Sequence, residues 1–587
     1  MNNQKKNLGQ FFTPINVAEF MCTLIDKPKN AKILEPSAGE GIFLKTLSNQ
    51  GFENLTAYEI DENLKNKSNV NIINQDFLSL KKDPTYDVVI GNPPYVRWKN
   101  IPEYIKVGLK SDKYWNGKIN GLSDLLYPFI YSCIDLLKKN GELIFITPIF
   151  WTQTQHSKAL RKFMSENGEL SHFIIFNEMP IFNDVSSSII IFKYIKRRTN
   201  SSIKVIEFFG KEKLSKTILE DIPKIFNHLE KEDYLSGENF EAYYHPQFQN
   251  SNLWKPLSPK IKPFLDKVEK SCTSKSITVT VDLNGKTVHH PLSQLFDESD
   301  LDELGIPKEL CKKIRFANKY YYLVYSNQST LFNDSSNESY RYIKLGDVAE
   351  IGNGMVSGLD KAFKVSTNEF NKKEKSKFLN VMKASSLKKY FTGEKSQYIF
   401  VNDVESEEIL KNDFPNIFNH LIKFRPSLEK RYNYGRYIPW WEWVFLRNKK
   451  LMENNNEKIL VPCKERIDSK GYVRFSYIEG DFYATQDVTS IVKKPQFREN
   501  IKYLLAILNS EIIYNWIKYK GLSRGGVVEF SERPLSIIPI RLIDWKNEEE
   551  VRIHDEIVTL IDLILENKEE AENRIKIEEK LKKLYLS

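Results

Sequence analysis

The segment Tyr86-Asp-Val-Val-Ile-Gly91, running into Asn92-Pro93-Pro94-Tyr95, constrains this chain more than any other. The apolar run reads as a buried strand. The tetrapeptide then sits at the strand's carboxyl end, where open parallel sheets bind their ligands. Two consecutive prolines fix φ and carry no N–H, so the loop is stiff and its carbonyls are left to accept hydrogen bonds. An Asn amide oxygen beside a proline carbonyl, with an aromatic ring next, suits one task. It can hold an exocyclic amino group by both protons and clamp the flat ring that bears it. A Pro-rich turn is the competing reading, since Asn-Pro and Pro-Pro are ordinary turn signals. The upstream sequence decides between them.

Lys32-Ile-Leu-Glu35-Pro36-Ser37-Ala38-Gly39-Glu-Gly41-Ile-Phe43 reads as a short strand entering a glycine turn that opens a helix. Such glycines let backbone approach a ligand and aim helix N-terminal N–H groups at it. The turn is not the G-x-G-x-x-G fingerprint, and alone it is a weak signal. One strand–helix unit later, Leu55-Thr-Ala-Tyr-Glu59-Ile60-Asp61 places a carboxylate at a second strand end, suited to the two hydroxyls of a ribose. Asn71-Ile-Ile-Asn-Gln-Asp76-Phe77 then ends a third strand in an acid able to accept from an adenine amino group. Each acid alone is an ordinary surface carboxylate. Four fitting strand ends in chain order are not an accident.

These motifs resemble the gamma-type N6-adenine DNA methyltransferases of restriction-modification systems, in particular the Taq-methyltransferase-like enzymes. Leu8-Gly-Gln-Phe-Phe-Thr13-Pro14, before a helix expected over Val17 to Leu24, is similar to the family's N-terminal motif over the methionine part of the cofactor. Glu35 to Gly41 resembles the main cofactor loop, Glu59-Ile60 the ribose clamp, and Asp76-Phe77 the adenine acid with its neighbour. Asn92 to Tyr95 resembles the catalytic motif, whose Asn92 and Pro94 also border the cofactor. Pro180-Ile-Phe182-Asn-Asp-Val-Ser-Ser resembles a later motif whose Phe meets the flipped base. The resemblance implies S-adenosyl-L-methionine as cofactor and N6 of a flipped-out adenine in double-stranded DNA as target. Asn92 and Pro93 would accept the amino protons, and Tyr95 and Phe182 would pack on the base. It also implies a monomer, paired with a cognate restriction endonuclease on the same site without a stable complex.

At 587 residues the chain exceeds one hydrophobic core. Up to about residue 245, strands alternate with amphipathic helices, which predicts a doubly wound α/β domain, and the resemblance implies that residues 1–245 are a Rossmann-like methyltransferase domain. A helix from Leu125 to Lys139 leads through Asn140-Gly141 into a strand at Glu142 to Thr147. Strands at Ser171 to Asn177 and Ser188 to Tyr194, either side of Phe182, suggest an antiparallel end to the sheet. Residues 246–340 form an insertion of unassigned role, and the acidic run Asp297 to Glu303 reads as a solvated face. Five scattered cysteines, without C-x-x-C or a nearby histidine, predict reduced thiols and no metal site. No run long enough to span a bilayer and no leader pattern occur, so a soluble protein of the bacterial cytoplasm, with no membrane partner, is expected.

Residues 341–545 are expected to be a mixed α+β target-recognition domain. Gly352 to Gly358 is not followed by a Lys-Ser or Lys-Thr helix, so a hairpin facing DNA is expected there instead of a phosphate loop. Across residues 421–475, basic outnumber acidic side chains by roughly two to one, with Phe424, Tyr432, Tyr434, Tyr437, Trp440, Trp441 and Trp443 among them. The net charge of +9 and pI near 8.8 agree with a nucleic-acid partner. Lys423, Arg425, Lys430, Arg431, Trp440 and Trp441 are the candidate DNA contacts, for phosphate and for stacking. Core packing of the tryptophans is an equally good reading. Residues 546–587 read as an amphipathic helical tail. Protein-glutamine methyltransferases share the Asn-Pro-Pro-Tyr motif but are about half as long and lack a large basic second half. RNA adenine methylation stays open. A restriction-modification fusion is disfavoured because the cofactor motif starts at Leu8 and no Pro-Asp…Glu-x-Lys nuclease pattern follows it.

Overall fold

The structure is a computed structural model. It describes residues 11–586 except 81–82, 183–187, 211, 249–252, 284, 325–339, 367–368, 454–455, 469, 525 and 567–569. Two expected motif segments, Leu8 to Gln10 and Asn183 to Ser187, lie outside the described residues. The chain forms two compact units. One is Met1–Lys262 with Arg524–Gly526, and the other is Pro263–Ser523 with Val527–Ser587.

The first unit is built on one ten-stranded sheet. Its strands are β1 (Ile33–Glu35), β2 (Leu55–Glu59), β3 (Ile73–Asn74), β4 (Tyr86–Gly91), β5 (Leu137–Pro148), β6 (Glu169–Ile175), β7 (Ile189–Ile195), β8 (Ile203–Phe208), β9 (Tyr234–Ser236) and β10 (Phe240–His245). Their spatial order is 3-2-1-4-5-7-6-8-10-9. The first five strands run parallel, and β7 is antiparallel to both β5 and β6. Helix α1 (Ile15–Thr23), α2 (Ile42–Asn49), α3 (Leu126–Leu136) and α4 (Lys158–Asn167) cover the sheet. Side chains of β4 and β5 divide between two apolar layers. Val88, Ile90, Ile144 and Ile146 pack with α1 and α2, whereas Val89, Leu143 and Phe145 pack with α3 and α4. A strand buried on both faces must be apolar at every position, which is why Val88-Val89-Ile90 carries no alternation.

Strand order reverses between β1 and β4, and this puts a crevice at their carboxyl ends. One expectation is corrected here. The helix stops at Leu136, not Lys139, because Leu137 already pairs with Tyr86 and a bulge through Asn140 (φ 63°) follows. Strands β6 and β7 each lie one to two residues from the expected limits.

The second unit holds a four-stranded antiparallel sheet of Ala349–Asn353, Val488–Lys493, Glu457–Pro462 and Ser476–Glu479, in that order, and a smaller sheet around Phe378–Met382 and Ser396–Ile399. Glu548–Leu565 and Glu570–Leu586 form two helices that pack on each other. The acidic run is not a solvated face throughout, although Glu298, Asp302 and Glu303 are exposed. Asp297 caps the helix Glu298–Leu304, and buried Asp300 pairs with Arg341 at 3.1 Å and with Lys344. Nor is Gly352–Gly358 an exposed hairpin. Its first residues complete a strand, and Met355, Val356 and Ser357 are buried. At Gly354 a Cβ would lie 2.3 Å from the Ala484 and Thr485 carbonyls, so glycine is required for backbone packing, not for a ligand.

Candidate active site

Four of the five parallel strands, β1 to β4, each lead into a group at the crevice. The β1 end leads into a turn with Gly39 at φ 54° and Gly41 at φ 78°, backbone that favours glycine. A Cβ on Gly41 would press on Asn66 and Ser68, whereas one on Gly39 would meet only the Phe12 ring at 3.7 Å. Gly41 is therefore a packing glycine, and Gly39 faces the crevice. At the β2 end, the Glu59 carboxylate is fixed by three backbone donors: Gly39 N–H at 2.8 Å, and Ile60 and Asp61 N–H at 3.0 Å each. Past β3, Asp76 caps a single 3-10 turn by accepting from Leu78 N–H at 3.0 Å. Past β4, the Asn92 carbonyl accepts from Ser37 Oγ at 3.2 Å, tying the two loops together.

These groups surround one cleft of about 830 Å³, counting its open mouth. Pro36, Ser37, Gly39, Glu59, Ile60, Asp76, Phe77, Asn92 and Pro94 line it. Thr13, Pro14, Glu35, Ala38, Gly41, Pro93, Tyr95 and Phe182 are not among the lining residues. Among the described residues the lining holds two carboxylates and no cation. An anionic pyrophosphate is repelled by such a wall, whereas a cationic nucleoside is attracted. Glu35 is a latent further charge beside this wall. It is buried, its Oε2 has no hydrogen-bond partner, and burial with nearby Glu59 pushes its carboxyl well above the usual range. A buried acid with an unmet oxygen beside the cleft fits a positively charged ligand. Ile60, Phe77, Ile105 and Phe129 supply apolar surface for a flat base.

Asn92 is oriented by its surroundings. Its Nδ2 donates to the Phe11 carbonyl at 2.7 Å and to Thr13 Oγ1 at 3.1 Å. A carbonyl can only accept, so the amide nitrogen must face Phe11 and Oδ1 must point the other way. There Oδ1 shares the single proton of the Tyr95 hydroxyl with the Ile146 carbonyl, which lies 2.8 Å from that hydroxyl. Burial, with Asp124 nearby, pushes the Tyr95 phenol well above its ordinary range and keeps it a donor. Among the described residues no backbone N–H donates to the Pro93 carbonyl. The Phe11 ring stacks on Tyr95 at 5.8 Å and 21°, and lies 6.2 Å from Phe182.

Phe11 is the side chain that reading the sequence missed, although Phe11-Phe12 directly precedes Thr13-Pro14. Ile105 and Phe129 were missed too, because they arrive from helices well after the catalytic loop. Of the candidate DNA contacts, Trp440 and Trp441 are 6% and 7% exposed and belong to the core of the second unit, with Trp443 beside them. They are corrected from stacking platforms to packing. Arg431 is also structural, donating to the Ser357, Pro439 and Glu442 carbonyls. Arg425 pairs with Glu407 and Glu429 at 2.8 Å each. Lys423 and Lys430 are exposed.

Residues 18–182 match the Eco57I restriction-modification methylase family, and residues 402–540 match the TaqI-like C-terminal specificity domain. The chain is 39% identical to the type II methyltransferase M.HindII of Haemophilus influenzae, over 97% of this chain and 96% of that protein. It is 37% identical to M.HincII of Haemophilus influenzae over the same shares. Its fold is similar to that of the type IIL restriction-modification enzyme MmeI in complex with DNA, with a TM-score of 0.55 at 10% identity, covering 97% of this chain and 72% of that one. Near-full-length identity of this size, with the strand-end groups in place, identifies the chain as a member of the type II DNA methyltransferases of restriction-modification systems.

Proposed function

We propose that this protein transfers the methyl group of S-adenosylmethionine to N6 of an adenine turned out of double-stranded DNA. The observation that carries this reading is the oriented Asn92 amide, set between an acidic cleft and a group of aromatic rings. Glu59 would hold the ribose hydroxyls, Asp76 the adenine amino group, and Glu35 with the Gly39 turn the charged methionine end. When bound, the cofactor supplies an electrophilic methyl on a sulfonium.

The chain's own residues do the rest. Turning the base out of the stack costs a few kcal/mol. Tyr95, Phe11 and Phe182 provide the apolar faces that offset it. The N6 lone pair is delocalised into the ring and is a poor nucleophile. Asn92 Oδ1 and the Pro93 carbonyl accept its two protons, which favours a pyramidal nitrogen and stabilises the positive charge that develops there. For this, the base must replace the Tyr95 hydroxyl at Oδ1. Because Nδ2 stays tied to Phe11 and Thr13, the acceptor does not swing away meanwhile. Protection of DNA from a cognate endonuclease, a monomeric state and a cytoplasmic setting complete the reading.

The test is transfer of a labelled methyl group from S-adenosylmethionine to duplex DNA, RNA and release-factor protein in parallel, with digestion of the DNA to nucleosides. Label recovered as N6-methyladenine in duplex DNA supports the proposal. Label confined to RNA or to protein glutamine removes it.

A further inference from the structure

We infer that the loop Tyr432–Tyr437 is a pre-formed DNA-reading finger that sets sequence specificity, an inference resting on the DNA reading above. From Lys430 to Ile438 the chain has three cations and no acid. Tyr437 is 91% exposed and Tyr432 is 75% exposed, whereas the tryptophans a few residues later are buried.

The loop is not slack. Arg431 pins its base to three carbonyls. Asn433 Oδ1 accepts from Gly435 N–H at 3.2 Å, and the chain turns through Tyr434 at φ 56° and Gly435 at φ 72°. Arg436 donates to the Val444 carbonyl at 3.2 Å, and its guanidinium lies 5.4 Å over the Phe445 ring. Tyr434 packs between Tyr432, at 4.7 Å, and Phe445, at 5.7 Å. These contacts tie the loop down although Tyr434 and Arg436 are themselves exposed, while Tyr437 and, apart from its edge against Tyr434, Tyr432 face outward.

Aromatic area held rigidly in water signals a partner. Its chemistry follows from the neighbours. A cation excess with planar rings suits phosphate contact plus packing on bases and sugars, which is the nucleic-acid combination. The loop also falls inside the segment that matches the specificity-domain family. Rigidity favours reading over general attraction, because rings held in place meet the duplex without an ordering cost and fit only the local DNA shape they match.

The experiment uses the full chain. Sequencing of N6-methyladenine in DNA from cells expressing the wild type first defines the site, and a wild type that marks no site removes the enzymatic reading and this inference together. Duplexes with and without the site are then titrated at several salt concentrations. The Tyr432→Ala/Tyr437→Ala double variant should bind the site about tenfold or more weakly. Its salt slope, melting temperature and S-adenosylmethionine affinity should be unchanged, and Tyr432→Phe/Tyr437→Phe should recover most of the loss. Lys430→Glu should instead lower the log–log salt slope by about 0.9. A double alanine variant that binds and methylates the site within about twofold of wild type would overturn the inference.

Discussion

The crevice of the first unit and the aromatic belt of residues 421–447 carry the same kinds of side chain, rings among polar groups, but they relate to sequence in opposite ways. In the crevice, chain position translates into place. Glu35, Glu59, Asp76 and Asn92 end or follow adjacent parallel strands, and the sheet brings all four ends to one edge. In the belt, neighbours in sequence go to different environments. Trp440 and Trp441 are core, Tyr432 and Tyr437 are surface, and Arg431 serves backbone carbonyls. A regular sheet maps sequence order onto space. An irregular loop region does not.

The belt offers the sharpest way to break this contrast. Trp441→Ala should cost about 3–5 kcal/mol of stability, the range for emptying a large buried aromatic site. The check is chemical denaturation, and a variant of wild-type stability with weakened DNA binding would return Trp441 to the DNA surface. On the crevice side, Asn92→Ala should lower methyl transfer by about a hundred- to a thousandfold while S-adenosylmethionine binding by calorimetry persists, since one oriented group facing developing charge contributes that much. Turnover within about tenfold of wild type would remove the oriented-acceptor mechanism.

Tyr95 tests a finer point. Tyr95→Ala should lose about ten- to hundredfold in turnover through lost stacking. A purely stacking role would leave the hydroxyl dispensable, but its proton is shared between Asn92 Oδ1 and the Ile146 carbonyl. Tyr95→Phe should therefore keep most turnover yet melt lower, by about 1 kcal/mol for the carbonyl left unpaired. Equal melting of Phe variant and wild type would show that the bond does not hold the loop.

Glu35 links the site to pH. Its folded-state carboxyl is raised by burial and by Glu59, so the neutral form is favoured in the free protein. That contribution to stability is present at low pH and is lost as pH rises through the raised value. A cationic ligand favours the charged form, so its affinity should increase with pH, by up to about tenfold per unit. Glu35→Gln should weaken binding and flatten both dependences, as calorimetry and thermal melts across pH would reveal. The smallest effect is expected at exposed Lys423, where Lys423→Glu should lower the log–log salt slope of DNA binding by about 0.9 and leave cofactor affinity alone.

Most of the crevice was legible because each of its residues announces itself by type at a strand end. The glycines needed positive φ, the acids followed apolar runs, and Asn92 sat before two prolines. What could not be read were partners distant in sequence. Ile146 of β5 receives the Tyr95 hydroxyl, and the Phe11 carbonyl anchors Asn92 across 81 positions. Such contacts depend on which strands become neighbours, and local sequence does not encode that. In the second unit, Asp300 looked like surface because its neighbours are acidic. Arg341 and Lys344, arriving from 40 residues away, make its burial tolerable.

By itself, then, the sequence determined the strand–turn–helix units and the chemistry at their ends, because backbone propensity, glycine φ and proline stiffness are local properties. Tertiary structure alone decided that Asn92 turns its nitrogen to Phe11 and its oxygen to the Tyr95 hydroxyl, that Phe11 joins Tyr95 and Phe182, and that the tryptophans turn inward while Tyr432 and Tyr437 face water. Burial is a collective outcome. Whether a ring lies inside or outside depends on which surfaces remain to be covered once the other elements have packed.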